Sequence, residues 1–300
     1  MKPKIIVVGS SNTDMVIKTK QIPAPGETVL GGTFFMNAGG KGANQAVAAV
    51  RLGGTVSFIC KTGQDIFGKE AISSFKKENI NADFIFIDEK EPSGIALITV
   101  DENAENSIVV APGANASLNV GDIEEIEDFI VQAEIILMQL EIPLATVIHL
   151  AEFAAANEIP VILNPAPACK LPDELLKNIS IITPNENEAE KLTGITVTDI
   201  RTAEQAAKII YDRGVETVII TLGAEGALLL NRDAVAHIAG YKVSPVDTTA
   251  AGDVFNGALA VALSEKKSMP EAIDFACKAA SISVTRLGAQ ASAPYRHEIN

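Results

Sequence analysis

The residues Asp247-Thr248-Thr249-Ala250-Ala251-Gly252-Asp253 run straight into an apolar stretch, 254–262, that reads as a helix. Small residues and a glycine at a helix entrance let backbone N–H groups converge on one point, beside the positive end of the helix dipole. Ala250, Ala251, Gly252 and Asp253 are therefore expected to form an anion hole suited to charge developing on a phosphoryl group in transfer. Asp253 falls in the first turn, with its carboxylate beside that hole. A carboxylate is too weak a base to strip an alcohol in advance. In a loose phosphoryl-transfer transition state it need only orient the hydroxyl and accept its proton as bonding proceeds. Simple helix capping is the competing role for Asp253.

A second run, Gly39-Gly40-Lys41-Gly42-Ala43-Asn44-Gln45-Ala46, also opens a helix. It is not a P-loop, because Gly42 follows Lys41 where Ser or Thr is needed, and it is not a dinucleotide fingerprint, because Gln45 stands in place of the third glycine. What remains is a glycine turn that lets a ligand approach the backbone, flanked by Lys41 and Asn44. Those groups suit a polyhydroxylated molecule. A third cluster, Gly9-Ser10-Ser11-Asn12-Thr13-Asp14, follows the first strand, at the edge where open α/β sheets bind ligands; as isolated residues, Asn12 and Asp14 read more often as turn formers.

These clusters need a scaffold. Short apolar runs at 5–8, 56–60, 135–140, 161–163, 179–183, 218–221 and 227–230 read as strands buried on both faces. Helical patterns at 43–51, 124–131, 145–156, 186–192 and 203–213 separate most of them, and the last third turns helical at 254–262 and 272–285. Such alternation predicts a three-layer α/β/α sandwich around a mainly parallel sheet. Segments 15–36 and 92–110 break the rhythm and read as antiparallel strands forming a small β lid on one compact domain, 1–300.

A net charge of −14 argues against nucleic acid or an anionic membrane as partner. Cys60, Cys169 and Cys277 lie far apart and read as reduced, buried thiols. No stretch approaches the ~20 apolar residues of a membrane span. A cytoplasmic protein is expected.

Taken together these residues resemble the ribokinase family of sugar and nucleoside kinases. One family signature is matched from Gly39 through Asn44 and Ala46 to Gly53 and Gly63, the other from Asp247 through Gly252-Asp253 to Gly257-Ala258-Leu259-Ala260. The resemblance covers essentially the whole chain. It implies transfer of the γ-phosphate of ATP to the 5-hydroxyl of D-ribose, with Asp253 as base. It further implies that Asn12, Asp14, Gly40, Lys41, Gly42, Asn44 and Glu141 hold the sugar, and that Asn185, Thr221, Gly223, Glu225, Gly226 and Gly252 hold the nucleotide. Glu188 would hold Mg²⁺ through water, which suits an ion that parts reluctantly with its own waters. Asp247, Thr249, Ser283, Arg286, Gly288 and Ser292 would surround a monovalent cation, K⁺, and the chain would form a homodimer through the lid.

Without the resemblance, Thr221–Gly226 reads as a hairpin turn and Glu188 as an exposed helix charge. Fructose, a nucleoside or a keto-deoxy sugar acid remain alternative substrates. The absence of Trp, the three Tyr and the lack of arginine before Arg51 point instead to a neutral sugar. A non-catalytic sugar sensor is a further alternative, although it should have lost Asp253 or the hole. A nicotinamide-dependent oxidoreductase fits only the layering.

Overall fold

Alternation along the first strand sets the architecture. Ile5 and Val7 enter one buried apolar cluster, while Ile6 and Val8 enter another. A strand buried on both faces needs helices on both sides of its sheet. The computed structural model, which describes residues 4–103 and 105–299, has that arrangement.

In chain order the strands are β1 (Lys4–Val8), β2 (Asn12–Lys18), β3 (Thr33–Gly39), β4 (Thr55–Gly63), β5 (Ile85–Asp88), β6 (Gly94–Val100) and β7 (Asn106–Ala111). They continue with β8 (Ile135–Met138), β9 (Val161–Leu163), β10 (Ile181–Ile182), β11 (Thr217–Thr221), β12 (Gly226–Asn231) and β13 (Val235–Ala239). The helices are α1 (Lys41–Arg51), α2 (Ile66–Lys77), α3 (Val120–Glu124), α4 (Glu127–Ile130), α5 (Leu144–Ala156) and α6 (Asp173–Leu176). After them come α7 (Glu186–Thr193), α8 (Ile200–Asp212), α9 (Ala251–Ser264) and α10 (Met269–Ser283).

The large sheet has the order β13-β12-β11-β10-β9-β8-β1-β4-β5. Its β11-β12-β13 edge is antiparallel and the remaining pairs are parallel. Apolar side chains of α1, α2, α9 and α10 pack on one face, and those of α3 to α8 on the other. This is the expected three-layer sandwich.

A separate four-stranded sheet, β3-β2-β6-β7, stands beside it; its β2–β3 and β6–β7 pairs are antiparallel as expected, but the β2–β6 pair that joins them is parallel. Its β2 begins at Asn12, earlier than the strand-like stretch expected from Met15, and Asn12 and Asp14 are strand residues here, not turn formers. Other boundaries also move. The helix expected at 124–131 is broken into α3 and α4, and the strand expected at 179–183 shrinks to Ile181–Ile182. Helix α2 and strands β5 and β13 were not foreseen from the sequence, and of the three cysteines expected to be buried Cys169 is exposed. Among the described residues no helix is long and apolar enough to cross a membrane.

Candidate active site

Helix α9 begins at Ala251, after Ala250 in the left-handed backbone conformation (φ 60°), which is rare for a residue with a Cβ. That bend aims the first turn of the helix away from the incoming chain. The Ala251 N–H is not part of an open hole, because it donates to the Thr248 carbonyl at 3.2 Å. Among the described residues no acceptor lies on the N–H groups of Gly252 and Asp253, the next two of the turn. The anion hole expected over Ala250–Asp253 narrows to these two amides. A Cβ built on Gly252 meets nothing within 4 Å, so the space beside this residue is open.

Asp253 does not cap its own helix. Its carboxylate is 6% exposed and turns to α1, where Asn44 Nδ2 donates to Oδ2 at 2.9 Å and Gln45 Nε2 to Oδ1 at 2.9 Å. Burial pushes the Asp253 carboxyl up, the Lys41 ammonium and the two amides pull it down, and the balance stays above the usual carboxylate range. The Oδ1 of Asn44 is buried without a partner among the described residues, an acceptor left open beside the carboxylate.

The N-terminal polar groups gather at the same place. Glu141 Oε2 accepts from Ser10 Oγ and from the backbone N–H of Lys41, the latter at 3.0 Å. Asn12 Oδ1 accepts from Asn115 Nδ2 at 2.8 Å. The Asp14 carboxyl is raised to about 6 by burial first, then by Glu141 and Asp253. Burial works against the charge of Lys41, but Asp253, Glu141 and Glu188 outweigh it and hold the ammonium above its ordinary value.

The glycines of this segment have another reason than ligand approach. A Cβ on Gly39 would strike the Asp14 carboxylate at 2.3 Å, one on Gly40 the Asn12 N–H nitrogen at 2.8 Å, and one on Gly42 the Ser10 nitrogen at 2.6 Å. They bring the helix entrance against β2 and the end of β1, which is how these polar groups meet.

On the other side, Asn185 caps α7. Its Oδ1 accepts from the Glu188 N–H at 2.8 Å while Glu188 Oε2 accepts from the Asn185 N–H at 2.9 Å. Glu188 is buried rather than exposed, and burial raises its carboxyl against the pull of the Asn185 amide and Lys41. Thr221 and Asn185 form a parallel bridge. Gly223 (φ 52°) has open space about it, whereas Gly226, which pairs with Ala239 of β13, is crowded by the Ile238 carbonyl; Thr221–Gly226 is also the turn of the β11–β12 hairpin. The backbone carbonyl of Glu225 accepts from His237, and its side chain is exposed.

The loop before α9 is tied to the chain after α10. Asp247 Oδ1 accepts from the Thr249 N–H and Oδ2 from the Gly288 N–H, both at 2.9 Å. Burial pushes this carboxyl up, but those hydrogen bonds outweigh it and hold it below the usual range. The Ser283 and Ser292 hydroxyls donate to carbonyls of their own turns, which leaves their oxygen lone pairs available. The Arg286 guanidinium is paired with Glu298, so only its backbone is free to serve a cation.

The pfkB family carbohydrate kinase pattern matches residues 2–296. The chain belongs to the pfkB family of carbohydrate kinases. A ribokinase from Haemophilus influenzae is 48% identical over 99% of this chain and 97% of its own length. A deoxyribokinase from Salmonella typhi is 38% identical over 99% and 97%. Among solved structures, an Arabidopsis thaliana ribokinase complexed with ribose and ATP superposes with a TM-score of 0.94 at 33% identity, covering 100% of this chain and 98% of that one.

Several buried polar residues of this pfkB kinase site escaped the sequence reading. Gln45, Gln139 and Asn164 form a hydrogen-bonded chain behind Asp253. Asn256 Nδ2 donates to the Gly252 carbonyl at 2.8 Å, and its Oδ1 accepts from Thr183 Oγ1 at 2.6 Å, which holds the first turn of α9 from behind. The available signal was polarity inside apolar runs: Gln45 among alanines, Gln139 at the end of a strand run, Asn256 in the apolar helix.

Proposed function

We propose that this pfkB-family kinase is a ribokinase, transferring the γ-phosphate of ATP to the 5-hydroxyl of D-ribose to give ADP and D-ribose 5-phosphate. One observation carries the reading: the Asp253 carboxylate, beside two free amides at the entrance of α9, is bonded to α1, whose first residues border Asp14 and Glu141. A hydroxyl held in that polar pocket is therefore next to both a base and an anion hole. The ribokinase relatives support ribose as the sugar.

In this reading Asn12, Asp14, Glu141 and the open Oδ1 of Asn44 take the sugar hydroxyls, with Lys41 and the backbone of Gly40 and Gly42 at the rim. Asp253 accepts the 5-hydroxyl proton as the bond to phosphorus forms, and the Gly252 and Asp253 amides receive the growing charge of the phosphoryl oxygens. Asn185, Thr221, Gly223, Glu225 and Gly226 border the nucleotide. Glu188 commits only Oε2 to its capping box, and a second buried oxygen suits a hard cation, so Glu188 would hold Mg²⁺ through water. The oxygens of Asp247, Thr249, Ser283 and Ser292, with backbone carbonyls at Arg286 and Gly288, are a donor set for K⁺. Mg²⁺ supplies neutralisation of the polyphosphate and K⁺ stiffens the loop that presents the hole.

The four-stranded sheet acts as the lid of one kinase domain. Ile17, Phe34, Met36, Leu97 and Val109 share its outer face by register, and they are 44–65% exposed. A second copy of the chain covers this face in a cytoplasmic homodimer. Sedimentation at micromolar concentration should give a dimer for the native chain and a monomer for Phe34→Glu; a native monomer would end this part.

The catalytic reading is tested by kcat/KM for ribose, 2-deoxyribose, fructose and adenosine with ATP and Mg²⁺, with and without K⁺. Ribose should lead. Asp253→Ala should lose several orders of magnitude in kcat while ribose still binds. Turnover within tenfold of the native chain removes the base assignment, and a preference for fructose or adenosine removes the substrate.

A further inference from the structure

Gln45 is completely buried on α1, in a stretch where Ala43, Ala46, Val47, Ala48 and Ala49 are buried with it. An amide placed among alanines is costly unless its polar atoms are satisfied. All of them are. Its Oε1 accepts from Gln139 Nε2 at 2.6 Å, and its Nε2 donates to Asp253 Oδ1 at 2.9 Å and to Asn164 Oδ1 at 3.1 Å. Asn164 in turn donates to the Thr183 carbonyl at 3.3 Å.

The direction of this chain is forced by its ends. The Thr183 carbonyl can only accept, so Asn164 presents its amide nitrogen there and its oxygen to Gln45. An ionised Asp253 can only accept, so the same Nε2 faces both, and Gln139 must donate to the remaining oxygen. Each orientation fixes the next. Asn44 holds the other oxygen of Asp253, so the two amides grip the carboxylate by both atoms.

We infer that Gln45, oriented by Gln139 and Asn164, is a positioning residue for phosphoryl transfer that fixes the plane of the Asp253 carboxylate and leaves its outer lone pairs for the sugar hydroxyl. The inference rests on Asp253 being the base. It assigns Gln45 no contact with sugar or nucleotide. The charged groups facing Asp253 are Lys41 on α1, Glu141 after β8 and Glu188 on α7, with Asp14 on β2. Of these only Lys41 favours the ionised carboxylate, and the two amide donors join it in working against burial. A role confined to packing would need only the volume of the side chain, which methionine supplies.

The experiment compares Gln45→Met, Gln139→Met and Asp253→Ala with the native chain, measuring kcat and ribose KM from pH 5 to 9 and the melting temperature of each. Loss of one hydrogen bond to a charged group should move the acidic limb of kcat in Gln45→Met upward by about one pH unit or more. Turnover at pH values below the native limb should fall about tenfold and recover as pH rises, with ribose KM within about threefold of native. Gln139→Met, which touches Asp253 only through Gln45, should shift the limb the same way by less. If Gln45→Met does not fold, the shift in Gln139→Met decides. Acidic limbs that superimpose on the native profile, with only melting temperature lowered, overturn the inference while an inactive Asp253→Ala leaves the base assignment standing. An Asp253→Ala protein that keeps turnover within tenfold overturns both.

Discussion

Replacing Asp14 by Asn should make the protein more stable and a poorer binder of sugar. The Asp14 carboxyl stands at about 6 instead of 3.8, chiefly because it is buried and secondly because Glu141 and Asp253 are close. A raised value means that the native state binds the proton more tightly than the unfolded chain. Stability tied to this group is therefore highest at low pH and falls as pH rises from about 4 to about 6, staying low above that. The difference between 3.8 and about 6 corresponds to at most about 3 kcal/mol of destabilisation at neutral pH. Asn keeps the shape without the charge. For a chain of this size 1 kcal/mol is worth about 2 °C, so Asp14→Asn should raise the melting temperature by about 2–6 °C at pH 7.5. The gain should vanish near pH 4, where both forms are neutral. Ribose at about a thousandfold above its Kd should reverse the order, because it adds about 4.1 kcal/mol to a protein that binds it. Thermal melting from pH 4 to 8, with and without ribose, is the assay. If Asp14→Asn melts at or below the native chain at pH 7.5, or its advantage is the same at every pH, the electrostatic argument is wrong.

Glu188→Gln keeps an oxygen to cap the Asn185 N–H but removes the charge, so melting temperature should stay within about 2 °C of native. The Mg²⁺ concentration needed for half-maximal turnover should rise at least about tenfold, and an unchanged Mg²⁺ requirement would take Glu188 out of the metal site. Gly42→Ala and Gly252→Ala should separate folding from chemistry. The first drives a methyl to 2.6–2.7 Å from the rigid backbone of Ser10 and Gly9 and should cost about 1–3 kcal/mol, read by denaturant unfolding. The second meets no protein atom within 4 Å, should melt like the native chain, and should lose turnover because its methyl stands where a phosphoryl group must approach; full activity there would disprove the hole.

The layered fold was legible because a buried parallel strand writes an uninterrupted apolar run, as at Ile5–Val8, and helices between runs leave little choice of topology. Strand β13 was missed for the opposite reason: only alternate residues of Val235–Ala239 are half-buried, and its short alternation is faint. At the site, Asp253 could be picked out because one segment holds both the carboxylate and the amides that accompany it. The reason for Gly40 and Gly42 could not be seen, since what crowds them is the backbone of Ser10, Ser11 and Asn12, whose approach depends on how β1, β2 and α1 pack. Gln45 and Gln139 were visible only as polar letters in apolar stretches. Such residues must find partners somewhere, yet nothing local says that those partners are Asn164 and a carboxylate 208 positions along the chain.

The site works against its own folding. Asp14, Glu188 and Asp253 all sit above the ordinary carboxylate range, and burial is the largest cause in each. Lys41 is the one cation that appears among the influences on both Glu188 and Asp253, so the ammonium is shared among several acids. A pocket arranged in this way gains when a ligand supplies what the protein leaves out: hydroxyl donors for the carboxylates, and cations beside them. In the proposed reading neutral amides carry the anion hole, since another lysine there would pair with these carboxylates instead of waiting for phosphate. The acidic surroundings thus fit both halves of the proposed site, a base that remains reactive by being incompletely satisfied and a phosphate site built from backbone dipoles.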